Sequence, residues 1–254
     1  MLRRPSPSES LDGSVPQTPW SKHQAFLAEN WEIGRSISIL APTGRGKSYL
    51  SRQGLLPILN RAEKVLIFED DAEAKFPGFS IKTKRFPNRA WREYYRARFG
   101  EDYQPIYRLV IPEDLTQKSI LNERTRVFGA MRQAFRERNW VLVFPEVATM
   151  TEPLGDYGLG LRGPMNILWR KARRRKLTVI AETQAPRWVP RAFYDQPWAL
   201  YMGKIGDQQA RIRFREIGGN SKLLEAALPS LGKHEFVFAA EAGDIIERVQ
   251  VGRG

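Results

Sequence analysis

Five compact apolar runs punctuate the chain up to residue 182: Ser36 to Leu40, Lys64 to Phe68, Ile106 to Ile111, Val141 to Phe144 and Leu177 to Glu182. Each is bounded by polar or turn-forming residues and is short for a helix, so each predicts a strand. The segments between them have a different period. Tyr49 to Leu59 predicts a helix, Arg124 to Arg138 repeats Val127, Met131 and Phe135 at i, i+4 and i+8, and Pro164 to Arg175 puts Met165, Leu168, Trp169 and Ala172 on one face. That stripe is what a helix needs to pack on a core. Strands that alternate with helices predict an α/β fold, a mainly parallel sheet covered by helices on both faces.

Four more strands are expected, at Trp198 to Met202, Arg211 to Phe214, Glu235 to Ala240 and Ile245 to Val251. The last two are joined by a turn at Glu241 to Asp244 and add a C-terminal antiparallel hairpin. At the other end, Trp20 to Glu32 predicts an amphipathic helix with Trp20, Phe26 or Leu27, and Trp31 turned to the core. Residues 1–20 are rich in Ser and Pro and poor in large apolar side chains, so they are expected to be a mobile tail. Residues 21–254 are expected to form one domain.

Composition narrows the chemistry. The chain has 254 residues, no cysteine and two histidines, His23 and His234, which excludes disulfides and thiolate metal sites and leaves little for a histidine-ligated metal. The absence of cysteine suits a reducing cytoplasm. No run approaches the roughly 18 apolar residues of a membrane span, and MLRRPSPSES lacks the apolar core of a secretion signal, so a soluble, unprocessed protein is expected.

Charge points to a partner. Lys and Arg number 41 against 28 Asp and Glu, a net charge of +13. Arg3 and Arg4 are balanced by Glu9 and Asp12, so the excess belongs to the folded part. A surplus of this size suits a polyanion, nucleic acid first, with an acidic protein or a membrane surface as alternatives. The densest stretch is residues 82–99, where Lys82, Lys84, Arg85, Arg89, Arg92, Arg96 and Arg98 interleave with Phe86, Trp91, Tyr94, Tyr95 and Phe99. Cations that hold phosphates and rings that stack on bases make it the local candidate for nucleic acid. An amphipathic helix with buried rings and solvated arginines accounts for the same pattern.

The most specific signal is Ala41 to Ser48, APTGRGKS, set between a predicted strand and a predicted helix. That context is the one a phosphate-binding loop requires: glycines let the backbone wrap an anion, and amides at the helix start point at it. Thr43, Gly44, Arg45, Gly46, Lys47, Ser48 and Tyr49 form the candidate nucleotide-binding set. Lys47 would reach the β- and γ-phosphates of ATP and Ser48 would bind Mg²⁺. Ala41 stands where the pattern usually has a glycine, the least demanding of the set.

Hydrolysis also needs a carboxylate at the end of a buried strand. VLVFPE supplies Glu146, the candidate catalytic base, while Pro145 occupies the place of the usual first acid. The metal would then rest on Ser48, the phosphates and water, or on a neighbour such as Asp70 or Asp71.

The order of phosphate loop, acid-ended second strand, VLVFPE, basic helix and a strand ending in TQ with a proline two residues on resembles the HerA/FtsK superfamily of DNA-pumping ATPases, over about residues 33–215. The resemblance implies a RecA-like P-loop NTPase core, ATP and Mg²⁺ as cofactors, a homo-oligomeric ring and translocation of double-stranded DNA. It also implies Gln184 as a sensor of the γ-phosphate. Arg173, in RKARRRK, lies near where such proteins place an arginine that reaches a neighbouring subunit's nucleotide, with Arg174 and Arg175 equally near. Asp207 and Arg211 are further candidates to approach the nucleotide.

Small size and the lack of a membrane span favour viral genome packaging, with capsid vertex proteins as possible partners and the host cytoplasm or the virion as the setting. Conjugation or mobile-element DNA transfer is the alternative within the superfamily. Outside it stand a nucleotide-dependent DNA-binding switch with weak hydrolysis, for which Pro145 speaks, and a small-molecule kinase, against which TQAP and the basicity count. If residues 82–99 hold duplex DNA, charge reversal at Arg92 and Arg96 will weaken binding and flatten its salt dependence by about 0.9 for each phosphate no longer neutralised. A binding isotherm series across salt concentrations reads this, and an unchanged slope removes the segment from the interface.

Overall fold

The computed structural model describes residues 15–56, 58, 64–69, 106–110, 116–154, 158–184, 189–205, 221–240 and 244–251. The basic segment 82–99, Asp70, Asp71, Asp207 and the strand expected at Arg211 to Phe214 lie outside them.

Apolar strands buried on two faces build the centre of the molecule. In chain order the strands are β1 (Gln17–Thr18), β2 (Ile37–Leu40), β3 (Lys64–Glu69), β4 (Ile106–Val110), β5 (Trp140–Phe144), β6 (Leu177–Thr183), β7 (Ala199–Met202), β8 (Glu235–Ala240) and β9 (Ile245–Gln250). They form one sheet in the order β1-β9-β8-β7-β2-β6-β5-β3-β4. From β7 to β4 every pairing is parallel, whereas β8 is antiparallel to both β7 and β9. The expected parallel sheet and closing hairpin are both present.

The helices are α1 (Trp20–Asn30), α2 (Lys47–Tyr49), α3 (Gln117–Glu137), α4 (Val147–Thr151), α5 (Arg162–Lys171), α6 (Ala192–Asp195) and α7 (Ser221–Ala227). Leu27 of α1, Trp31 directly after it, and Leu50, Leu55 and Leu56 after α2 cover one face of the sheet, against Ile37, Ile39, Val141, Val143 and Ile180. Val127, Met131 and Ala134 of α3 and Met165, Leu168 and Trp169 of α5 cover the other, against Leu142, Phe144, Val179 and Ala181. Successive residues of β5 and β6 therefore feed different cores, which is why both strands are continuous apolar runs.

Several boundaries differ from expectation for local reasons. Helix α3 starts seven residues before the expected Arg124, because the Thr116 hydroxyl accepts from the Ser119 amide at 3.2 Å and caps it. After Tyr49 the chain widens into a π-helical turn over Leu50–Leu55, closed by a bond from the Leu56 amide to the Ser51 carbonyl at 3.0 Å. Helix α5 ends at Lys171 and passes through a 3₁₀ turn at Arg173–Arg175 before Lys176, at φ 50°, turns the chain into β6.

The sheet also takes in β1, inside the stretch whose composition reads as tail. Gln17 and Thr18 run parallel to Arg248 and Val249 of β9, between Pro16 and Pro19. Beneath them lies a polar chain that the sequence did not announce. Thr18 donates to Glu247 at 2.6 Å, the His23 Nδ1 meets the other Glu247 oxygen at 2.5 Å, and its Nε2 meets the Tyr201 hydroxyl at 2.7 Å. His23 is fully buried, so each ring nitrogen needs the partner it has. Burial and the Glu247 charge hold the Tyr201 hydroxyl well above its usual range, so it stays protonated. The histidine is a fastener between α1, β9 and β7.

Glu123 faces inward from α3, and burial pushes its carboxyl up to about 7 against the pull of Arg126. Between about 4.5 and about 7 the folded state keeps a proton there that the unfolded chain has released, so this residue makes stability fall as pH rises through that window. Glu123→Gln will flatten the dependence, read as the shift in urea midpoint between about pH 5 and pH 8. An equal shift in both proteins would show that Glu123 titrates normally.

Candidate nucleotide site

The order of strands creates the site. Strand β2 lies between β6 and β7, and the chain leaves its carboxyl end directly into APTGRGKS. Crevices at such a switch in strand order are where open α/β sheets bind ligands. The base of the loop is tied on both sides, by the Ala41 amide to the Thr183 carbonyl at 3.2 Å and by the Gly203 amide to the Leu40 carbonyl at 2.8 Å. Gly203 is a glycine for space, because a Cβ there would sit 2.7 Å from the Ala41 Cβ.

Within the loop, Gly44 at φ 75° and Gly46 at φ 94° adopt conformations that L side chains rarely take. Gly46 caps the helix that follows, and its carbonyl accepts from the Leu50 amide at 2.9 Å. The His234 ring lies beside Gly46 and 5.6 Å from the Tyr49 ring, closing the flank of the loop toward β8. Lys47 Nζ rests 3.3 Å from the Pro42 carbonyl, folded back across the loop. Thr43, Gly44 and Ser48 are exposed, while Arg45, Gly46, Lys47 and Tyr49 are half-buried.

Two carboxylates flank Lys47. Glu146 follows β5 and accepts from the Thr183 hydroxyl at 2.9 Å, the Gln184 amide at 3.2 Å and the Ala148 amide at 3.2 Å, the last capping α4. Burial raises its pKa, and those bonds with the Lys47 charge draw it back. A glutamate above its ordinary value but held by several donors is oriented and able to take a proton. Gln184, at the end of β6, accepts from the Thr43 hydroxyl. The glutamate expected as a base and the glutamine expected as a sensor are thus joined at one strand end, next to the loop.

The second carboxylate was missed from sequence. Glu182 lies on β6 opposite Ile39 of β2, fully buried, with Oε2 3.2 Å from the Ser48 hydroxyl and Oε1 2.5 Å from the Ser51 hydroxyl. Burial pushes its carboxyl up to about 7, although Ser51, Arg52, Lys47 and Ser48 all pull it down. The signal was an acid inside the run LTVIAET, which needs partners to be tolerated there. Burial likewise lowers the Lys47 pKa, with Glu182 and then Glu146 opposing. The pocket thus holds one ammonium between two acids, at a partly exposed glycine loop.

Ser48 and Glu182 are oxygen donors of the kind a hard cation takes. Among the described residues no three His, Asp or Glu side chains gather to hold an ion by themselves. Arg173 is not part of this cluster. It precedes β6, at the opposite end from Thr183, and with Gly34, Arg35, Trp169, Arg170 and Arg174 lines a basic cleft of about 510 Å³.

If Gly203 is required only for space, Gly203→Ala will cost about 1 to 3 kcal/mol by overpacking against Ala41. Adding Ala41→Gly will recover most of it, and denaturant midpoints of the single and double variants check both. Full additivity of the two changes would disprove the steric conflict.

No protein-family model and no curated protein matches the chain by sequence. Solved structures do match. The DNA-packaging ATPase B204 from Sulfolobus Turreted Icosahedral Virus aligns at a TM-score of 0.55 and 14% identity, over 86% of this chain and 98% of that one. The genome packaging NTPase B204 from Sulfolobus turreted icosahedral virus 2, in complex with AMPPCP, aligns at 0.58 and 12%, over 87% and 98%. VirB4 of Thermoanaerobacter pseudethanolicus aligns at 0.53 and 12%, over 86% and 89%. No helix among the described residues is long and apolar enough to cross a membrane. At these identities the likeness is one of fold: the chain shares with these proteins a RecA-like P-loop architecture, a mainly parallel sheet flanked by helices with antiparallel strands at its C-terminal end.

Proposed function

We propose that the protein is a Mg²⁺-dependent ATP hydrolase that moves double-stranded DNA, acting in the packaging of a viral genome. The observation that carries this reading is the placement of Glu146, Gln184 and Lys47 around one glycine loop at the switch point of the sheet. Its support beyond the site is the likeness of fold to B204 over 86% of this chain and 98% of that one, together with a net charge of +13 suited to a polyanion. DNA transfer between cells is the alternative route for the same motor, and VirB4 has this fold too.

In this reading the amides from Gly44 to Ser48 and the Lys47 ammonium hold the β- and γ-phosphates. Mg²⁺, when bound, neutralises charge on those oxygens. Ser48 fits it, because its hydroxyl is exposed at the loop and backed by a carboxylate. Glu146 accepts the proton of the attacking water, and Gln184 reports the γ-phosphate to the loop through Thr43. Arg173, at the far end of β6, is out of reach of its own chain's loop and would serve a neighbouring subunit in a ring. Capsid vertex proteins are the partners a packaging motor would dock on.

Pro145 keeps a second reading alive, a nucleotide-gated DNA-binding switch with little turnover. The two differ in one assay. For the motor, ATP turnover rises on adding duplex DNA, Lys47→Ala loses nucleotide affinity, and Glu146→Gln binds nucleotide but turns over about 10² to 10⁴ times more slowly. Tight ATP binding without turnover under any DNA condition would replace the motor by the switch.

A further inference from the structure

A proline at position 145 leaves the end of β5 with one carboxylate where the pattern in VLVFPE calls for two, and Glu146 is already engaged with Thr183, Gln184 and Ala148. The missing negative charge has to come from elsewhere if a divalent cation is to sit beside Ser48. The neighbouring strand supplies it. Glu182 is fully buried on β6, faces the same layer as α2, and bonds both Ser48 and Ser51.

The chemistry of a serine hydroxyl decides what that bond does. A hydroxyl has one proton to donate and two lone pairs to give. Ser48 donates its proton to Glu182 Oε2, so both lone pairs of its oxygen are left for a cation. Without an acceptor behind it, the hydroxyl rotates freely and spends part of its time with the proton turned toward the metal. Ser51 fixes the other carboxylate oxygen, so Glu182 cannot swing away from Ser48. Partners of this kind, one bond behind a metal ligand, typically change metal affinity by about 10- to 100-fold.

We propose that Glu182 is the positioning residue on the metal side of the site, turning the Ser48 oxygen toward Mg²⁺ and bringing, from β6, the negative charge that Pro145 removes from the end of β5. The inference rests on the ATPase reading and adds a residue to it. It also explains why an acid is tolerated in the strand next to β2: its two oxygens are partnered by the loop and the helix that follow that strand.

The test measures nucleotide affinity, not turnover. A fluorescent non-hydrolysable ATP analogue is titrated into the full chain with Mg²⁺ and again with EDTA, and the ratio of the two affinities gives the gain from metal. The wild type will show a gain, Glu182→Gln will lose about tenfold or more of that gain, and Glu182→Asp will recover part of it. An undiminished gain in Glu182→Gln overturns the proposal. A wild type that binds equally with and without Mg²⁺ overturns it while leaving nucleotide binding intact, whereas a wild type that binds in neither condition removes the ATPase reading as well. If Glu182→Gln does not fold, Ser51→Ala serves in its place: it keeps the charge but loosens the carboxylate, and its gain must fall or the proposal fails.

Discussion

Burying a carboxylate between two cores is among the costliest things a parallel sheet can do, and the geometry around the phosphate loop follows from how that cost is met. Glu182 has no exposure to water, and one orphaned oxygen there would be penalised by more than an ordinary hydrogen bond returns. Its partners come from Ser48 and Ser51, which sit in place only if β2 and β6 pair in the observed register, with Ile39 opposite Glu182. A shift by one residue would turn the carboxylate into the layer of α3 and α5, where the neighbouring side chains are apolar. The acid therefore selects the register, and the register aims the loop.

The same strand end organises the opposite side of the cleft. Thr183 carries a bond to Glu146 while its carbonyl receives the Ala41 amide, and Gln184 touches both Glu146 and Thr43. Three consecutive residues of β6 and its exit thus speak to the loop helix, the candidate base and the loop itself. Since β6 separates β2 from β5, the loop and Glu146 are linked through residues at the end of β6 and not by any pairing between their own strands.

Much of this was legible in the chain because burial writes a simple code. Runs such as WVLVF and LTVIAET are apolar at nearly every step when both faces are covered, and the glycines of APTGRGKS stand where the backbone needs positive φ. The candidate residues Lys47, Ser48, Glu146 and Gln184 fall together because each follows the carboxyl end of a strand that pattern alone located. What escaped was tertiary. A two-residue strand has no periodicity to detect, a threonine cap lengthens α3 beyond its apolar stripe, and His23 looks isolated until Glu247 and Tyr201 arrive from more than a hundred residues away. Glu182 was visible as an oddity, but only the pairing of β2 with β6 told which hydroxyls it would meet.

The short strand at the outer margin of the sheet bears on how copies of the chain meet. Among the described residues the strand beyond β9 is β1, two residues long and bracketed by Pro16 and Pro19, which have no amide hydrogen to offer. Along β1 itself a passing strand from another molecule finds almost no ladder to extend, which limits edge-to-edge pairing at that strand. Crowding many copies together then favours association made through side chains, which can be specific, over backbone templating, which is not.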